Sequence, residues 1–302
     1  MGEGGFLKRR TQQTLLGYTF MLPIFLFYSV FLIIPLGFSL ILSFSEWGGF
    51  DLSLIRFVGW RNYEDLFSPW SDFLNPILWN TFYYAFGTVF LSFIAALTVA
   101  YLVTKLRFQA FWRTMYFLPT VTTVVAIGNV WAYLYHPHGG MINGLLNALG
   151  MPTIRFLANP DTALPAIVVV GAWAGIGAAV LILTAGVKAI PETYYEAAMI
   201  EGASEWRLFF NITLPLLKPS ILFVLITGLI GGLQSFTLIM VMTGDGGPGN
   251  ATNVAALEMY NQAFRFGNWG LASSMAYTLF IVVFIITAIQ LLVFRRGGVE
   301  SY

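Results

Sequence analysis

The chain has 302 residues, of which 58% are hydrophobic and only 10% are charged, and its formal net charge is +1. Soluble domains carry about 25% charged residues, so the composition excludes a water-soluble fold and gives no indication of a nucleic-acid partner. Cysteine is absent, which excludes a disulfide framework and a cysteine-ligated metal site.

Six stretches of the chain contain no Asp, Glu, Lys or Arg, and each can house the roughly 20 residues that a membrane-crossing helix needs. The stretches are too long and too uniformly apolar for the alternating pattern of a membrane barrel. The sequence therefore predicts an all-α, polytopic membrane protein with six transmembrane helices, at about 16–43, 78–104, 114–135, 164–187, 219–242 and 271–294.

Residues 1–15 are predicted to form a short basic tail ahead of a membrane domain that spans 16–294. The first apolar run is far longer than the 7–15 residues of a signal-peptide core, and no small-residue cleavage site follows it. We therefore expect a retained helix, kinked at Pro23 and Pro35. Residues 295–302 form the predicted tail at the other end.

Basic residues concentrate in alternate loops, and this asymmetry predicts the orientation. With both termini in the cytoplasm, 11 basic residues fall in cytoplasmic segments and four in outside segments. This distribution places the 188–217 loop on the cytoplasmic side.

The outer half of the fourth predicted helix is almost free of large side chains. Gly171, Ala174, Gly175 and Ala178 lie there. Small residues allow close helix packing in lipid, and they also form a wall that leaves room for a solute. Both interpretations stay open, and they are compatible on opposite faces of one helix.

The fifth predicted helix carries Gln234 and Ser235 near its middle. Polar side chains at this depth are costly unless they are paired or face a wet cavity. They are the best polar candidates for contact with a cargo, and an interhelical hydrogen bond is the alternative.

The sequence lacks the residues required for proton coupling, nucleotide binding, metal binding and catalysis. The helix cores contain no charged residue, which disfavours a proton-coupled carrier, and no lysine follows a glycine as a phosphate-binding loop requires. His136 and His138 bracket Pro137 without a nearby third ligand, so we predict no metal site. No catalytic residues are predicted either, and energy must come from another subunit unless the protein is a passive pore.

The charged segment Glu196–Pro215 lies between two uncharged runs and predicts a helix–turn–helix. Pro191 suits a first helical turn, Gly202 is a typical residue after a helix end, and Ser204 can cap the next helix. Ala197 and Ala198 leave one side open to a close partner. A rigid hairpin of this kind can transmit a rotation to the membrane helices.

These residues resemble the EAA loop of ATP-binding-cassette importer permeases in Glu196-Ala197-Ala198, in Gly202, and in Ile212-x-Leu214-Pro215. A second set resembles the carbohydrate-uptake branch of that family, the class containing the maltose and glycerol-3-phosphate permeases: Gly246-Gly247-Pro248, Thr252, Ala263-Phe264, Gly270 and Ala272. The resemblance covers residues 15–294 and implies the type I permease fold and a location in the plasma membrane of a bacterium or archaeon.

The resemblance also implies partners. Such permeases pair with a second homologous permease, two copies of an ATPase subunit, which bind ATP and Mg, and an external solute-binding protein; this chain itself is expected to hold no cofactor. Membrane lipid and a small-molecule sugar complete the expected partners. The resemblance implies that six residues of the loop couple the permease to the ATPase: Glu196, Ala197, Ala198, Gly202, Leu214 and Pro215.

The substrate pathway implied by the resemblance comprises Gly171, Ala174, Gly175, Ala178, Gln234 and Ser235. Four of these are Gly or Ala, where polar or aromatic groups would hold a sugar, so the partner permease is an alternative location for the main substrate contacts. The expected function is a sugar-importer permease. Other open classes are a permease for a solute such as glycerol-3-phosphate, an exporter permease, a carrier or channel, and a membrane enzyme.

Overall fold

The computed structural model describes residues 3–104 and 106–296. Within these ranges four helices are long and apolar enough to cross a membrane, and two bent helix pairs raise the number to six if each pair is one span. The four long spans are Leu16–Ser43, Phe73–Val103, Pro160–Lys188 and Trp269–Arg295. The all-α, polytopic fold class predicted from the sequence is confirmed.

The first span is a single long helical rod with a widened turn. It comprises α1 (Glu3–Tyr28), a π-helical turn (Ser29–Ile33) and α2 (Ile34–Ser43). The turn ends just before Pro35, which cannot donate a helical hydrogen bond. Helix α1 begins at Glu3 rather than at the predicted residue 16, so the described part of the basic tail is helical in its backbone.

A short hairpin follows and is an exception to the expectation of helices alone. Strands β1 (Ser45–Glu46) and β2 (Arg56–Phe57) pair antiparallel, and a 3₁₀ turn (Leu52–Leu54) lies between them. Helix α3 (Arg61–Leu66) then leads towards the second span.

The second span consists of a π-helical turn (Phe73–Leu78) and α4 (Trp79–Val103). The predicted single helix at 114–135 is wrong, because the chain there forms α5 (Gln109–Val121) and α6 (Val124–Leu134), bent by 93°. Pro119 lacks the N–H that would continue the helical ladder. The Thr123 side chain then accepts a hydrogen bond from the Ala126 N–H, which starts α6 in its new direction.

Helix α7 (Met141–Ala148) is a short helix in the next loop, and α8 (Pro160–Lys188), with 29 residues, is the longest α-helix among the described residues. Asn159 caps α8 by accepting the Asp161 N–H, and a proline begins its first turn. Half of the most apolar window of α8 is buried, more than in any other long span.

The segment after α8 folds as the predicted helix–turn–helix. It contains α9 (Glu192–Ile200), α10 (Glu205–Leu208), a π-helical turn (Phe209–Thr213) and α11 (Leu214–Leu216). We call residues 192–216 the coupling hairpin. Ser204 occupies the N-cap position of α10 but makes no side-chain capping bond, so that part of the expectation is wrong.

The predicted helix at 219–242 is also interrupted. It is realised as α12 (Lys218–Leu233) and α13 (Thr237–Thr243), with Gln234 and Ser235 in the break rather than within a helix. Gly231 and Gly232 lower the helical preference just before the break. Gly232 allows α12 to touch α4, since an added Cβ there would lie 3.0 Å from the Ala85 Cα.

The last segment comprises a 3₁₀ turn (Pro248–Asn250), α14 (Ala255–Tyr260), a π-helical turn (Asn261–Arg265) and α15 (Trp269–Arg296). Of the predicted tail 295–302, residues 297–302 lie outside the described residues, as do residues 1–2 and Lys105.

Three apolar clusters form the core, and they lie around α4, α8, α12 and α15. Ala96, Ala100, Val180 and Leu183 are fully buried where α4 meets α8. Burial of apolar side chains against each other holds helices in fixed register through dispersion contacts. The first span packs on α15 through α2, where the Tyr277 hydroxyl donates to the Leu36 carbonyl at 2.6 Å, but none of its most apolar window is buried.

Candidate functional site

Helix α9 presents its predicted coupling residues on an open surface. Glu196 and Ala197 are exposed, and Ala198 is half-buried. The helix begins directly after Pro191, and Glu192 places negative charge in the first turn, where the helix dipole favours it. Ile200 is 88% exposed at the end of the helix, so this face combines small, acidic and apolar groups.

Gly202 ends α9 in a left-handed conformation, with φ of +78°. The Gly202 N–H donates to the Met199 carbonyl (3.0 Å), and the Ala203 N–H donates to the Ala198 carbonyl (2.9 Å). These two bonds form a Schellman motif, which favours glycine at this position. No heavy atom of the described chain lies within 4 Å of a Cβ built at Gly202, which leaves room for another molecule.

Side-chain contacts attach the coupling hairpin to the bundle. The Tyr101 hydroxyl of α4 donates to the Glu205 carboxylate (3.0 Å), and its ring lies 4.8 Å from the Phe209 ring. Within the hairpin, the hydroxyls of Tyr195 and Thr213 lie 3.0 Å apart. These contacts fix the hairpin to α4 and join its two arms to each other.

Leu214 and Pro215 differ in environment from the other predicted coupling residues. Leu214 packs against the apolar cluster formed by α4, α8 and α12, whereas Pro215 is exposed. The Leu214 side chain thus contributes to anchoring the hairpin, and the open face belongs to residues of α9.

A cavity of about 330 Å³ lies between α4, α8 and α12. It brings together four of the six predicted pathway residues: Gly171, Gly175, Ala178 and Ser235. This volume is at the lower end of the range for small-molecule pockets, about 300–1,000 Å³. The nearest atom to a Cβ built at Gly175 is 4.0 Å away, so the glycine wall faces open space there.

The other two predicted pathway residues lie elsewhere. Ala174 packs against an apolar core cluster, and its carbonyl accepts a hydrogen bond from Thr120 at 3.4 Å. Gln234 is exposed at the C-cap of α12 and does not line the cavity. Ser235 lines the cavity and the preceding residue, Gln234, does not, because the chain turns at the break between α12 and α13.

Tyr84 is a cavity residue that sequence reasoning missed. Its hydroxyl accepts a long hydrogen bond of 3.4 Å from the Ser235 hydroxyl. The hydroxyls of Thr88 and Ser92, which also line the cavity, donate instead to carbonyls of their own helix. Tyr84 on α4 and Ser235 in the break after α12 thus bring two hydroxyls to one place in the cavity. The signal in the sequence was a tyrosine within an uncharged run.

Gly171 makes room for the Tyr84 hydroxyl. A Cβ built at Gly171 would lie 2.7 Å from that oxygen and 2.9 Å from the Thr88 methyl carbon. Gly177 is tighter still, because its Cβ would lie 2.5 Å from the Tyr116 carbonyl oxygen of α5. Small residues of α8 therefore serve packing at Gly171 and Gly177 and line open space at Gly175.

The ring of His136 contacts the backbone of His138, in the turn that contains both histidines. The His136 Nδ1 atom lies 2.7 Å from the His138 carbonyl oxygen and 3.2 Å from the His138 backbone nitrogen. The described residues contain no group of three or more His, Cys, Asp or Glu side chains placed to hold a metal ion.

Sequence comparison decides the family. A family model described as the binding-protein-dependent transport system inner membrane component matches residues 89–296. The chain belongs to this family. It is therefore a transport subunit of an ATP-binding-cassette importer, in which the ATPase is a separate subunit.

Two curated relatives match over nearly their whole length. The trehalose/maltose transport system permease protein MalF of Thermococcus litoralis is 32% identical over 96% of this chain and 97% of its own. The lactose transport system permease protein LacF of Rhizobium radiobacter is 32% identical over 91% of this chain and 92% of its own.

A solved structure shares the fold of this importer permease. A chain of a bacterial ABC transporter involved in the import of the acidic polysaccharide alginate superposes with a TM-score of 0.82. The alignment covers 97% of this chain and 99% of that chain at 19% identity. The predicted type I permease fold is confirmed, as is the membership of an importer family.

Proposed function

We propose that this permease is one half of the translocation pathway of a sugar or oligosaccharide importer. The observation that carries the proposal is the course of α8. Gly171, Gly175 and Ala178 on this helix line the cavity, and the same helix ends at Lys188, four residues before α9 begins. A displacement of the coupling hairpin therefore reaches the cavity wall through one continuous helix.

The sugar class is supported by the relatives and by the cavity. The names of two relatives specify trehalose or maltose and lactose. Tyr84 and Ser235 offer hydroxyls, which hydrogen-bond to sugar hydroxyls as both donors and acceptors. We infer that four residues contribute to the pathway: Gly171, Gly175, Ala178 and Ser235. Ala174 packs in the core next to the cavity, and Gln234 is exposed outside it.

A second permease subunit completes the pathway in this proposal. The exposed first span supports it, because the window within Leu16–Ser43 has 0% of its residues buried. A membrane helix gains packing and excludes lipid only by contact with other protein. The partner permease and lipid together cover this span in the assembled importer.

The coupling hairpin docks on the ATPase subunit, two copies of which drive the importer and bind ATP and Mg. Glu196, Ala197, Ala198 and Gly202 form the docking face, while Leu214 and Pro215 join that face to the membrane helices. The open space at Gly202 and the exposed Glu196 support this role. The hairpin and both termini lie in the cytoplasm, and an external solute-binding protein delivers the sugar.

Reconstitution tests the proposal. The permease, its partner permease, the ATPase and the binding protein are assembled in liposomes, and uptake of radiolabelled maltose, trehalose and lactose is measured with and without ATP. We expect ATP-dependent accumulation of at least one of these sugars, or of a longer oligosaccharide that competes with their uptake. Uptake without ATP, or ATP-driven uptake of amino acids alone, would contradict the proposal.

A further inference from the structure

An apolar groove of about 460 Å³ opens beside α5, where the chain bends towards α6. Residues of α5 and its bend line it from Trp112 to Thr122, and Trp173 and Ile176 of α8 form the other wall. The Thr122 hydroxyl donates to the Leu118 carbonyl at 3.2 Å. The groove therefore presents mainly carbon surface, which suits a hydrocarbon chain better than a sugar, and the transport cycle described above gives it no role.

Helix α5 runs antiparallel to α8. The Thr120 hydroxyl contacts the Ala174 carbonyl at 3.4 Å, whereas the Tyr116 carbonyl lies against Gly177, nearer to the end of α8 at Lys188. The start of α5 therefore lies on the same side of the bundle as the coupling hairpin, which follows α8.

The length of the groove matches one leaflet of a bilayer. Helix α5 rises about 15 Å between Trp112 and Thr122, at 1.5 Å per residue. The hydrocarbon core of a membrane is roughly 30 Å thick. The groove thus extends from the membrane surface beside the coupling hairpin to about the middle of the bilayer.

The surface end of the groove is basic. Arg107 precedes α5 and is exposed, and Arg113 directly follows Trp112. The sequence contains no Asp or Glu between Asp72 and Asp161. Neither arginine takes part in an ion pair among the described residues, and the Nε atom of Arg113 has no hydrogen-bond partner there. The two guanidinium groups therefore lack a paired counter-charge.

The start of α5 adds to the attraction for an anion. Phe108 occupies the N-cap position without a side-chain capping bond, and no acidic residue follows in the first turn. Free N–H groups at a helix start favour phosphate. The Gln109 side chain donates to the Thr104 carbonyl at 2.7 Å, which fixes this start against the end of α4.

An anionic phospholipid matches both ends of the groove in one molecule. Its phosphate suits guanidinium groups, which bind phosphate in a bidentate manner, and its acyl chain suits the apolar walls. A neutral lipid would leave the arginines without a counter-charge, and a free phosphate ion would leave the groove empty. A membrane helix of a homologous permease would bring no carboxylate, since the helix cores of this chain contain no charged residue.

We propose that this groove binds one anionic phospholipid of the cytoplasmic leaflet. Arg107, Arg113 and the start of α5 hold its headgroup, and one acyl chain follows the groove to the bend at Thr122. Basic pockets between membrane helices on the cytoplasmic side bind such headgroups. The inference goes beyond the import function and rests only on the orientation proposed for it. The bound chain supports α8 from the side opposite to its contact with the sugar cavity.

Lipid titration of the purified complex tests the headgroup site. The permease is co-purified with its partner permease and the ATPase, stripped of lipid in a maltoside detergent, and titrated with dioleoylphosphatidylglycerol or dioleoylphosphatidylcholine. Native mass spectrometry counts bound lipid, and thermal unfolding measures stabilisation. Arg107→Gln with Arg113→Gln removes the charge, and Arg155→Gln, at an exposed arginine of the opposite loop, is the matched control.

We expect the native complex to retain one more phosphatidylglycerol than the double variant. The concentration for half-occupancy should rise roughly tenfold or more in the double variant and stay unchanged in the control. Phosphatidylcholine should bind alike in all three. If the double variant does not assemble, Arg107→Gln alone decides, and a rise of less than about twofold overturns the proposal.

A second pair of variants tests the acyl-chain groove. Met115→Trp fills it, whereas Val121→Trp adds the same bulk at a position of α5 that is 69% exposed and does not line it. We expect Met115→Trp to lose the extra phosphatidylglycerol and its thermal stabilisation, and Val121→Trp to keep both. Excess inorganic phosphate should not displace the lipid.

Four results overturn the proposal: equal retention of the two lipids by the native complex, an equal shift in the Arg155→Gln control, retention by Met115→Trp, or displacement by inorganic phosphate. Loss of the second permease from the Met115→Trp complex also overturns it, in favour of a permease–permease contact. The measurement uses no sugar, ATP or binding protein, so failure of the proposed import function leaves its outcome readable.

Discussion

The hydroxyl of Tyr101, near the end of α4, donates a 3.0 Å hydrogen bond to the carboxylate of Glu205 in the coupling hairpin. The two residues are 104 positions apart in the chain. Their contact joins the hairpin to the helix that forms one wall of the cavity. Because the acceptor is charged, the bond is stronger than one between neutral groups.

Tyr101→Phe tests whether this contact transmits force. The variant keeps the ring that packs 4.8 Å from Phe209 but loses the bond to Glu205. We expect uptake to fall several-fold while stimulated ATP hydrolysis persists, because docking remains and transmission weakens by about 1–2 kcal/mol. Tyr133→Phe, at an exposed tyrosine of α6, is the control and should leave both rates unchanged. Parallel loss of hydrolysis and uptake would indicate a docking role instead.

Substitutions of Gly202 should affect transport in two separable ways, through the backbone conformation that the new residue can adopt and through its charge. Its φ of +78° is accessible to Asn and Asp but strained for a β-branched residue. Gly202→Asp and Gly202→Asn are alike in size, so they isolate the charge. We expect Gly202→Asp to abolish transport and stimulated ATP hydrolysis together in a normally inserted protein, and Gly202→Asn to reduce both less.

Glu196→Ala should weaken the same two rates more mildly, since an exposed ion pair contributes about 0–1 kcal/mol. Normal uptake by the Gly202→Asp variant would show that no partner approaches Gly202 closely.

Local signals in the sequence predicted the coupling hairpin well. Proline at the start of a helix, glycine after its end and a charged segment between two apolar runs act over a few residues, and α9 with its Schellman turn follows from them. The lengths of the uncharged stretches likewise predicted the spans. The helix breaks at Thr122 and Gln234 were missed, because hydrophobic composition continues unchanged across them.

The cavity was predicted only in part, because it depends on contacts between distant residues. Ser235 and Tyr84 meet across 151 positions, and no periodicity along the chain encodes that distance. The break after α12 decides that Ser235 faces the cavity and Gln234 does not. Glycine content alone could not separate packing at Gly177 from open space at Gly175.

The orientation of the chain is open to direct measurement. A periplasmic reporter enzyme fused after Asn250 should be active, whereas the same reporter fused after Ser204 should be inactive, because the basic residues cluster on the side of the coupling hairpin. Cytoplasmic green fluorescent protein fused at the same two positions is the control and should give the opposite pattern. Activity after Ser204 would place the hairpin outside and exclude coupling to a cytoplasmic ATPase.

The hydroxyl pair in the cavity should affect substrate affinity. Tyr84→Phe and Ser235→Ala each remove one hydroxyl, and a lost hydrogen bond reduces binding by about 0.5–1.5 kcal/mol. We expect a two- to tenfold rise in the sugar concentration needed for half-maximal uptake, measured in reconstituted liposomes at a saturating concentration of binding protein. Gln234→Leu is the control, because Gln234 is exposed outside the cavity. An equal effect of all three variants would place the substrate elsewhere.

Bulk on α8 should block passage at some positions and disrupt packing at others. Gly175 and Ala178 line the cavity, and the nearest atom to a Cβ built at Gly175 lies 4.0 Å away, so a larger side chain there can enter the open space. We expect Gly175→Trp or Ala178→Trp to abolish uptake while the complex still assembles and hydrolyses ATP. Gly177→Ala is the contrasting variant, because its methyl group would lie 2.5 Å from the Tyr116 carbonyl oxygen of α5. This small change should lower the yield of assembled complex, as measured by co-purification and thermal stability. If the Trp variants fail to assemble and Gly177→Ala does not, then α8 uses Gly175 and Ala178 for contact with the partner permease, and the pathway lies on another helix.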